Sequence, residues 1–328
     1  MRILVTGATG FVGKKLVKKL VLNGHQVSIT TRNKSKAMSQ FSLPINIIEI
    51  KENNHWPQEA FQNTEGPIEG VINLMGENIA DGRWTEKRKK EILDSRVEGS
   101  KKLIEGILKY APNINFISSA SAIGYYPVGE NTLLKEDNLK ANGFLADVCY
   151  QWEQAVLNSP LACRKVVSRI GVVFGREGGA LAKLLPIFKL GAGGPIGSGK
   201  SMMSWIHVDD LASWLSYTAE NKSINGIYNA VAGYCSNSEM TKTLAKALHR
   251  PAIFPVPPFM LKIIFGEMSS IILDSQTVSS TKINSSGFKF QYGDLNLAMD
   301  EVAGSKTIID GKQPHRIIED TTYIEKKK

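Results

Sequence analysis

The chain opens with two hydrophobic rhythms in succession. Arg2-Ile-Leu-Val-Thr6 is a short, nearly unbroken apolar run, the pattern of a strand buried on both faces. From Phe11 to Leu22 the apolar residues return at helical spacing. Leu16, Val17 and Leu20 oppose Lys14, Lys15, Lys18 and Lys19, which predicts an amphipathic helix with a solvated basic face. Asn23-Gly24 is a helix stop, and Gln26-Val-Ser-Ile-Thr-Thr31 predicts a second strand. Together these make a βαβ unit of about 30 residues.

The alternation continues downstream. Ile45 to Ile50, Gly70 to Leu74, Asn115 to Ser118 and Lys165 to Ile170 predict strands. Between them, Thr85 to Leu108 carries Ile92, Val97, Leu103, Ile104, Ile107 and Leu108 near helical spacing, and Phe144 to Leu157 fits a second helix. Strands alternating with helices predict an α/β protein with a doubly wound parallel sheet. After residue 170 the composition changes. Gly175 to Gly199 is rich in Gly and Pro and is expected to be a long loop, functional or lid-like. Arg250 to Pro258 is proline-rich, and an apolar helix is expected near Phe259 to Ile272. The predicted division is residues 1–170 for the main domain, its sheet completed by later segments, then 171–300 for a smaller lobe and 301–328 for a polar tail.

Composition sharpens this little. The 328 residues are 42% hydrophobic and 22% charged, which is ordinary globular usage and argues against disorder. Cys149, Cys163 and Cys235 form no CxxC pattern and suit a reducing, cytoplasmic location. The five histidines show no metal-ligand spacing, so no metal is expected. No stretch approaches the roughly 18 apolar residues of a membrane helix. The net charge of +9 comes partly from short lysine clusters without any nucleic-acid-binding motif, so it favours small anionic ligands over nucleic acid.

The candidate chemistry starts at the first strand-to-helix turn. Gly7-Ala-Thr9-Gly10-Phe11-Val12-Gly13 places three glycines where a chain must turn tightly, approach a pyrophosphate and pack its helix on a strand. Backbone N–H groups at the start of the following helix would face the diphosphate, helped by the helix dipole. At the end of the second strand, Thr31-Arg32-Asn33-Lys34 has no acid for a ribose 2′-hydroxyl and offers an arginine for a 2′-phosphate. The expected cofactor is therefore NADP(H).

Thr6 to Gly13 resembles the opening of the extended short-chain dehydrogenase/reductase superfamily. Longer segments are similar to its atypical branch of epimerase family proteins, which are related to nucleoside-diphosphate-sugar epimerases. These are Asn73 to Thr85, Asp94-Ser-Arg96, Ser119 to Tyr126, Leu190 to Gly199 and Met203 to Leu211. The resemblance implies a Rossmann-type sheet with a smaller C-terminal α/β lobe, including a small domain of unknown function at about residues 250–298. It implies NADP(H) contacts at Thr31, Arg32, Leu74, Met75, Gly76, Glu91 and Arg96. By sequence alone, Glu91 and Arg96 also fit an ordinary surface pair on one helix.

Catalysis is the departure. The superfamily uses a Ser/Thr, a Tyr and a Lys in Tyr-x-x-x-Lys, the ammonium lowering the phenol's pKa. Here Ala120 falls at the serine place, and Leu145 and Cys149 at those of the tyrosine and lysine. Tyr323 with Lys327 matches only by chance, in the tail. Ser121 and Tyr126 are the local candidates for acid–base work, or else they line the cofactor pocket. Cys149 is expected to pack within its helix, with a redox-sensitive thiol as the alternative. His207-Val-Asp209-Asp210 lacks a nucleophile elbow, so His207 is expected to order its loop while Asp209 or Asp210 caps the next helix. Two functions stay open: an NADP(H)-dependent epimerase or reductase acting on a small or nucleotide-linked substrate, and a catalytically silent NADP(H)-binding regulator of a protein partner, such as a cell-division protein.

Overall fold

The computed structural model describes residues 1–50, 56–63, 65–79, 82–129, 132–252, 255–257, 259 and 275–304. The βαβ opening forms as expected, with β1 (Arg2–Thr6), α1 (Phe11–Leu22) and β2 (Gln26–Thr31). There follow α2 (Lys34–Met38), β3 (Asn46–Glu49), the antiparallel pair β4 (Gln62–Asn63) and β5 (Gly66–Pro67), and β6 (Gly70–Asn73). The long helix α3 (Glu86–Tyr110) is capped by Thr85, whose side chain accepts from the Arg88 N–H. It leads to β7 (Phe116–Ala122), α4 (Phe144–Leu157) and β8 (Arg164–Ile170).

These strands build one parallel sheet in the order β3-β2-β1-β6-β7-β8, with β11 (Gly226–Ala230) added beyond β8. Alternation within β1 shows why both faces are covered. Ile3 and Val5 join Leu16, Leu20 and Trp214 in one core, whereas Leu4 points the other way to Val71, Leu103 and Ile117. The first core lies under α1 and α6 (Val208–Glu220), and the second under α3.

The segment after residue 170 is shared between two sheets. Gly171 is the pivot: a Cβ there would stand 2.7 Å from the Ser204 carbonyl oxygen. Beyond it, β9 (Val172–Phe174), β10 (Met202–His207) and β12 (Gly233–Ser236) form a three-stranded sheet, while α6 and β11 return to the main one. Helices α5 (Gly179–Lys189), α7 (Asn237–Ala247) and α9 (Leu295–Ala303) bury Leu185, Leu244 and Met299 against the small sheet, and α8 (Thr281–Ser285) lies between them in sequence. Gly175 to Gly199 is thus not one long loop. Leu181, Leu185 and Phe188 lie at helical spacing and are buried, and burying that stripe outweighs the Gly-Pro composition. The apolar helix expected near 259–272 lies outside the described residues apart from Phe259, as does the tail from residue 305. Among the described residues no helix is long and apolar enough to cross a membrane.

Candidate dinucleotide site

The sheet reverses its winding between β1 and β6, and in open α/β sheets ligands bind beyond the carboxyl ends of the strands at such a point. The two ends are locked together. Thr6 Oγ1 donates to Asn73 Oδ1 at 2.7 Å, and the Leu74 N–H donates to the Thr6 carbonyl at 3.2 Å. Asn73 Nδ2 reaches Ser100 Oγ and Ser119 Oγ, so a fully buried polar cluster fixes three adjacent strands.

On this platform sits the glycine turn. Gly7 has φ +66°, and a Cβ there would lie 2.3 Å from the Leu74 carbonyl oxygen. A Cβ on Gly13 would lie 2.4 Å from the Gly7 oxygen and 2.6 Å from Ala8 Cα. The Gly10 N–H closes the turn on the Gly7 carbonyl at 3.1 Å. Gly10 is also the N-cap of α1 and brings no side-chain acceptor, and the first turn has no acid. The positive end of α1 therefore has neither a side-chain cap nor an acid of its own in its first turn. Thr9, Phe11 and Val12 are half-buried around it. The Phe11 ring packs so closely on Gly175 and Gly178 that a Cβ at either would stand within 2.6 Å of it.

The flanking strand ends converge from both sides. After β2, Thr31 Oγ1 accepts from the Asn33 N–H, and Asn33 caps α2. Arg32 is 84% exposed and reaches across to Glu77, its Nη1 donating to Oε1 at 2.7 Å. After β6, Gly76 lies under Arg96, whose Cζ would be 2.9 Å from a Cβ there. Arg96 donates to the carbonyls of Ile92 and Glu77 and stacks over Trp152 at 5.2 Å. Met75 packs on Gly99 of α3. Glu91 and Arg96 are not partners of each other in the hydrogen bonds and ion pairs found here: Glu91 accepts from Arg88 at 2.9 Å, and Arg96 turns inward. Glu77 and Arg88 were missed by sequence reasoning, since their partners lie up to 45 residues away.

Ser121 and Tyr126, the local acid–base candidates, sit in a buried hydrogen-bond network. Ser121 donates to Glu153 at 2.7 Å; Tyr126 donates to Asn229 at 2.7 Å and accepts from Arg169 at 2.8 Å. All five residues are at most 2% exposed. A cation does stand beside the Tyr126 phenol, yet burial pushes its pKa up to about 12, despite the lowering effects of Arg169 and Asn229. Cys149 is buried against Gly124. Burial, reinforced by the Glu153 charge, pushes its thiol up to about 11.

His207, not Asp209 or Asp210, caps α6: its Nδ1 accepts from the Asp209 N–H at 3.3 Å. Asp210 instead accepts from the Gln291 and Tyr292 amides at 2.8 Å, tying down the strand of chain before α9. His207 Nε2 meets Glu301 at 2.9 Å. The ligand atoms of His207, Asp209 and Glu301 lie within 4.8 Å of one another, but Lys15 already supplies a cation 3.3 Å from Asp209.

Residues 3–230 match the NAD dependent epimerase/dehydratase family, and residues 256–302 match a domain of unknown function, DUF1731. The chain belongs to the NAD dependent epimerase/dehydratase family. Within it, the chain is 37% identical over 297 residues to an Arabidopsis thaliana epimerase family protein SDR39U1 homolog described as chloroplastic, covering 89% of this chain and 84% of that one. It is 34% identical to the epimerase family protein YfhF of Bacillus subtilis, covering 94% and 100% respectively. The crystal structure of human epimerase family protein SDR39U1 with NADPH superposes with a TM-score of 0.81 at 32% identity, covering 93% of this chain and 99% of that one. The Rossmann-type sheet of this epimerase/dehydratase family member is therefore shared along almost its whole length.

Proposed function

We propose that this chain binds NADP(H) across the ends of β1 and β6. The observation that carries the reading is the glycine cradle: side chains at Gly7 and Gly13 would strike the chain's own backbone. The turn thus packs tightly on the end of β6 and on itself, and leaves exposed Gly10 and the uncapped start of α1 as the face a diphosphate would meet. The chemistry of the surroundings fits the group. Uncapped amides of Phe11, Val12 and Gly13 would take the diphosphate, and Arg32 with Thr31 the 2′-phosphate. Leu74, Met75 and Gly76 would flank the adenosine, with Glu91 and Arg96 beside them. The Trp152 indole N–H is buried without a partner among the described residues, and its ring lies beneath Arg96. Human SDR39U1, crystallised with NADPH, supports the same reading.

Such a cofactor supplies hydride exchange with a small or nucleotide-linked substrate, in an epimerase- or reductase-like protein. Proton transfer through Ser121 or Tyr126 is not part of this proposal, because both hydroxyl hydrogens are committed inward. That same commitment favours a second reading, a catalytically silent NADP(H)-binding regulator. Calorimetric titration of the purified protein tests the shared claim: NADPH should bind more tightly than NADH, and Arg32→Glu should weaken NADPH far more. Equal loss for both nucleotides rejects the phosphate assignment. Turnover of bound NADPH against a panel of carbonyl compounds selects the enzyme; a partner affinity that differs between NADPH and NADP+ without turnover selects the regulator.

A further inference from the structure

One ion pair joins the segments that follow β2 and β6, two strands that flank β1 on opposite sides. Strands separated by one neighbour lie about 9.5 Å apart, so the Arg32–Glu77 contact bridges the sheet at its carboxyl edge, beside the glycine turn. Its two halves differ in freedom. Arg32 is 84% exposed. Glu77 is held from behind: its other carboxylate oxygen faces Arg88 Nη1 at 3.4 Å, and its backbone N–H donates to Ser95 Oγ at 3.0 Å. Arg88 is itself anchored by Glu91 at 2.9 Å and by the Asn78 carbonyl at 2.6 Å. Arg32 is therefore the less restrained member of the pair, and Glu77 the more firmly held.

The charges run Arg32 plus, Glu77 minus, Arg88 plus, Glu91 minus, and sum to zero. A ligand dianion that takes Arg32 must remove it from Glu77 and then sit beside that carboxylate. A ribose hydroxyl makes no such demand. Resting on the reading that this site takes NADP(H), we propose that Glu77 is a specificity-tuning residue. It competes with the 2′-phosphate for Arg32 and so moderates the preference for NADP(H) over NAD(H). The exchange is feasible because an exposed ion pair is worth at most about 1 kcal/mol, whereas phosphate offers arginine a two-pronged, doubly charged partner.

The test is calorimetric titration of the full chain with NADPH and with NADH, in wild type, Arg32→Ala and Glu77→Gln. Glu77→Gln should tighten NADPH roughly fivefold, the ratio equivalent to about 1 kcal/mol, and leave NADH unchanged. Glu77→Asp, which draws the carboxylate back by one methylene, should move NADPH the same way by less; it carries the test if Glu77→Gln does not fold. Arg32→Ala separates the two claims. If it fails to weaken NADPH relative to NADH, the cofactor reading itself falls. If it does weaken NADPH while Glu77→Gln leaves NADPH unchanged or weaker, the competition proposed here is overturned alone.

Discussion

Arg169 grips Glu153 with two parallel hydrogen bonds, Nε to Oε1 at 2.9 Å and Nη2 to Oε2 at 2.8 Å, and both residues are 2% exposed. The pair joins β8 to α4 under the helix that carries Leu145 and Cys149, and Ser121 and Tyr126 hang from it. Removing one partner leaves a buried charge uncompensated, at a cost of about 3–5 kcal/mol. Glu153→Leu and Arg169→Met should each be that destabilising. The double variant should lose much less than their sum, because no lone charge remains. Urea denaturation of the three variants checks this, and additive losses would show that the pair does not act as a unit.

The Tyr126 phenol gives the same network a pH signature. Burial raises its pKa from 10.0 to about 12, so above pH 10 the unfolded chain releases this proton before the folded one does. Stability should therefore fall as pH climbs from 10 towards 12, and Tyr126→Phe should remove that component of the loss. NADPH affinity at pH 8 should be the same in both proteins. A large drop in affinity on Tyr126→Phe would return this residue to the cofactor pocket.

Much of the fold was legible because local and long-range demands agree. Helix α1 runs from Phe11 to Leu22 as its apolar stripe predicts, since that stripe meets α6 and β1 in one core. Where they disagree, local signals mislead. Leu181, Leu185 and Phe188 are only three apolar positions in a stretch punctuated by Gly and Pro, and their helix is decided by a small sheet whose short strands carry no periodic signal of their own. The glycine turn was legible because φ and close approach dictate residue type. The ion pairs around it were not: Arg32 and Glu77 lie 45 positions apart, and Arg169 and Glu153 sit on different elements. Charge partners of this kind are set by topology, which no local spacing reports.

Gly7 and Gly10 should not be equivalent. Gly7 combines φ +66° with a Cβ position 2.3 Å from a carbonyl oxygen, whereas a Cβ on Gly10 would meet nothing closer than the Gly7 oxygen at 3.2 Å. Gly7→Ala is expected to cost more than about 2 kcal/mol and Gly10→Ala less than about 1. Gly10→Ala should still weaken NADPH, since its methyl group stands at the entrance to the first-turn amides. Thermal melts paired with titrations separate the two effects; equal destabilisation would mean that the turn relaxes freely around either methyl.

Thiol reactivity offers a check on burial. Burial pushes Cys149 up to about 11 and Cys235 up to about 12, and it also raises Cys163, which is only half-buried. In the native protein at pH 8, alkylation should be slow at all three and fastest at Cys163. Mass mapping of iodoacetamide adducts over time measures the order, and rapid modification of Cys149 would revive its role as a redox-sensitive thiol.

Helix α9 should come loose in acid. Glu301 on α9 is half-buried, and that partial loss of water alone would raise its pKa, but its hydrogen bond to His207 and the charges of His207, Arg176 and Lys15 hold it below the ordinary 4.5. Asp209 and Tyr292 also face this cluster, the Tyr292 ring lying 4.1 Å from that of His207. A carboxyl depressed in the folded state contributes stability above its ordinary value, and that contribution is lost as pH falls through the lowered one. Amide exchange across residues 295–303 should therefore accelerate relative to α1 as pH drops below about 4.5. Glu301→Gln should cost about 1 kcal/mol at pH 7 and nothing further in acid, so the two proteins converge at low pH. If wild type and Glu301→Gln keep a constant stability difference down to pH values where carboxylates are protonated, the His207 contact does not hold α9 in place.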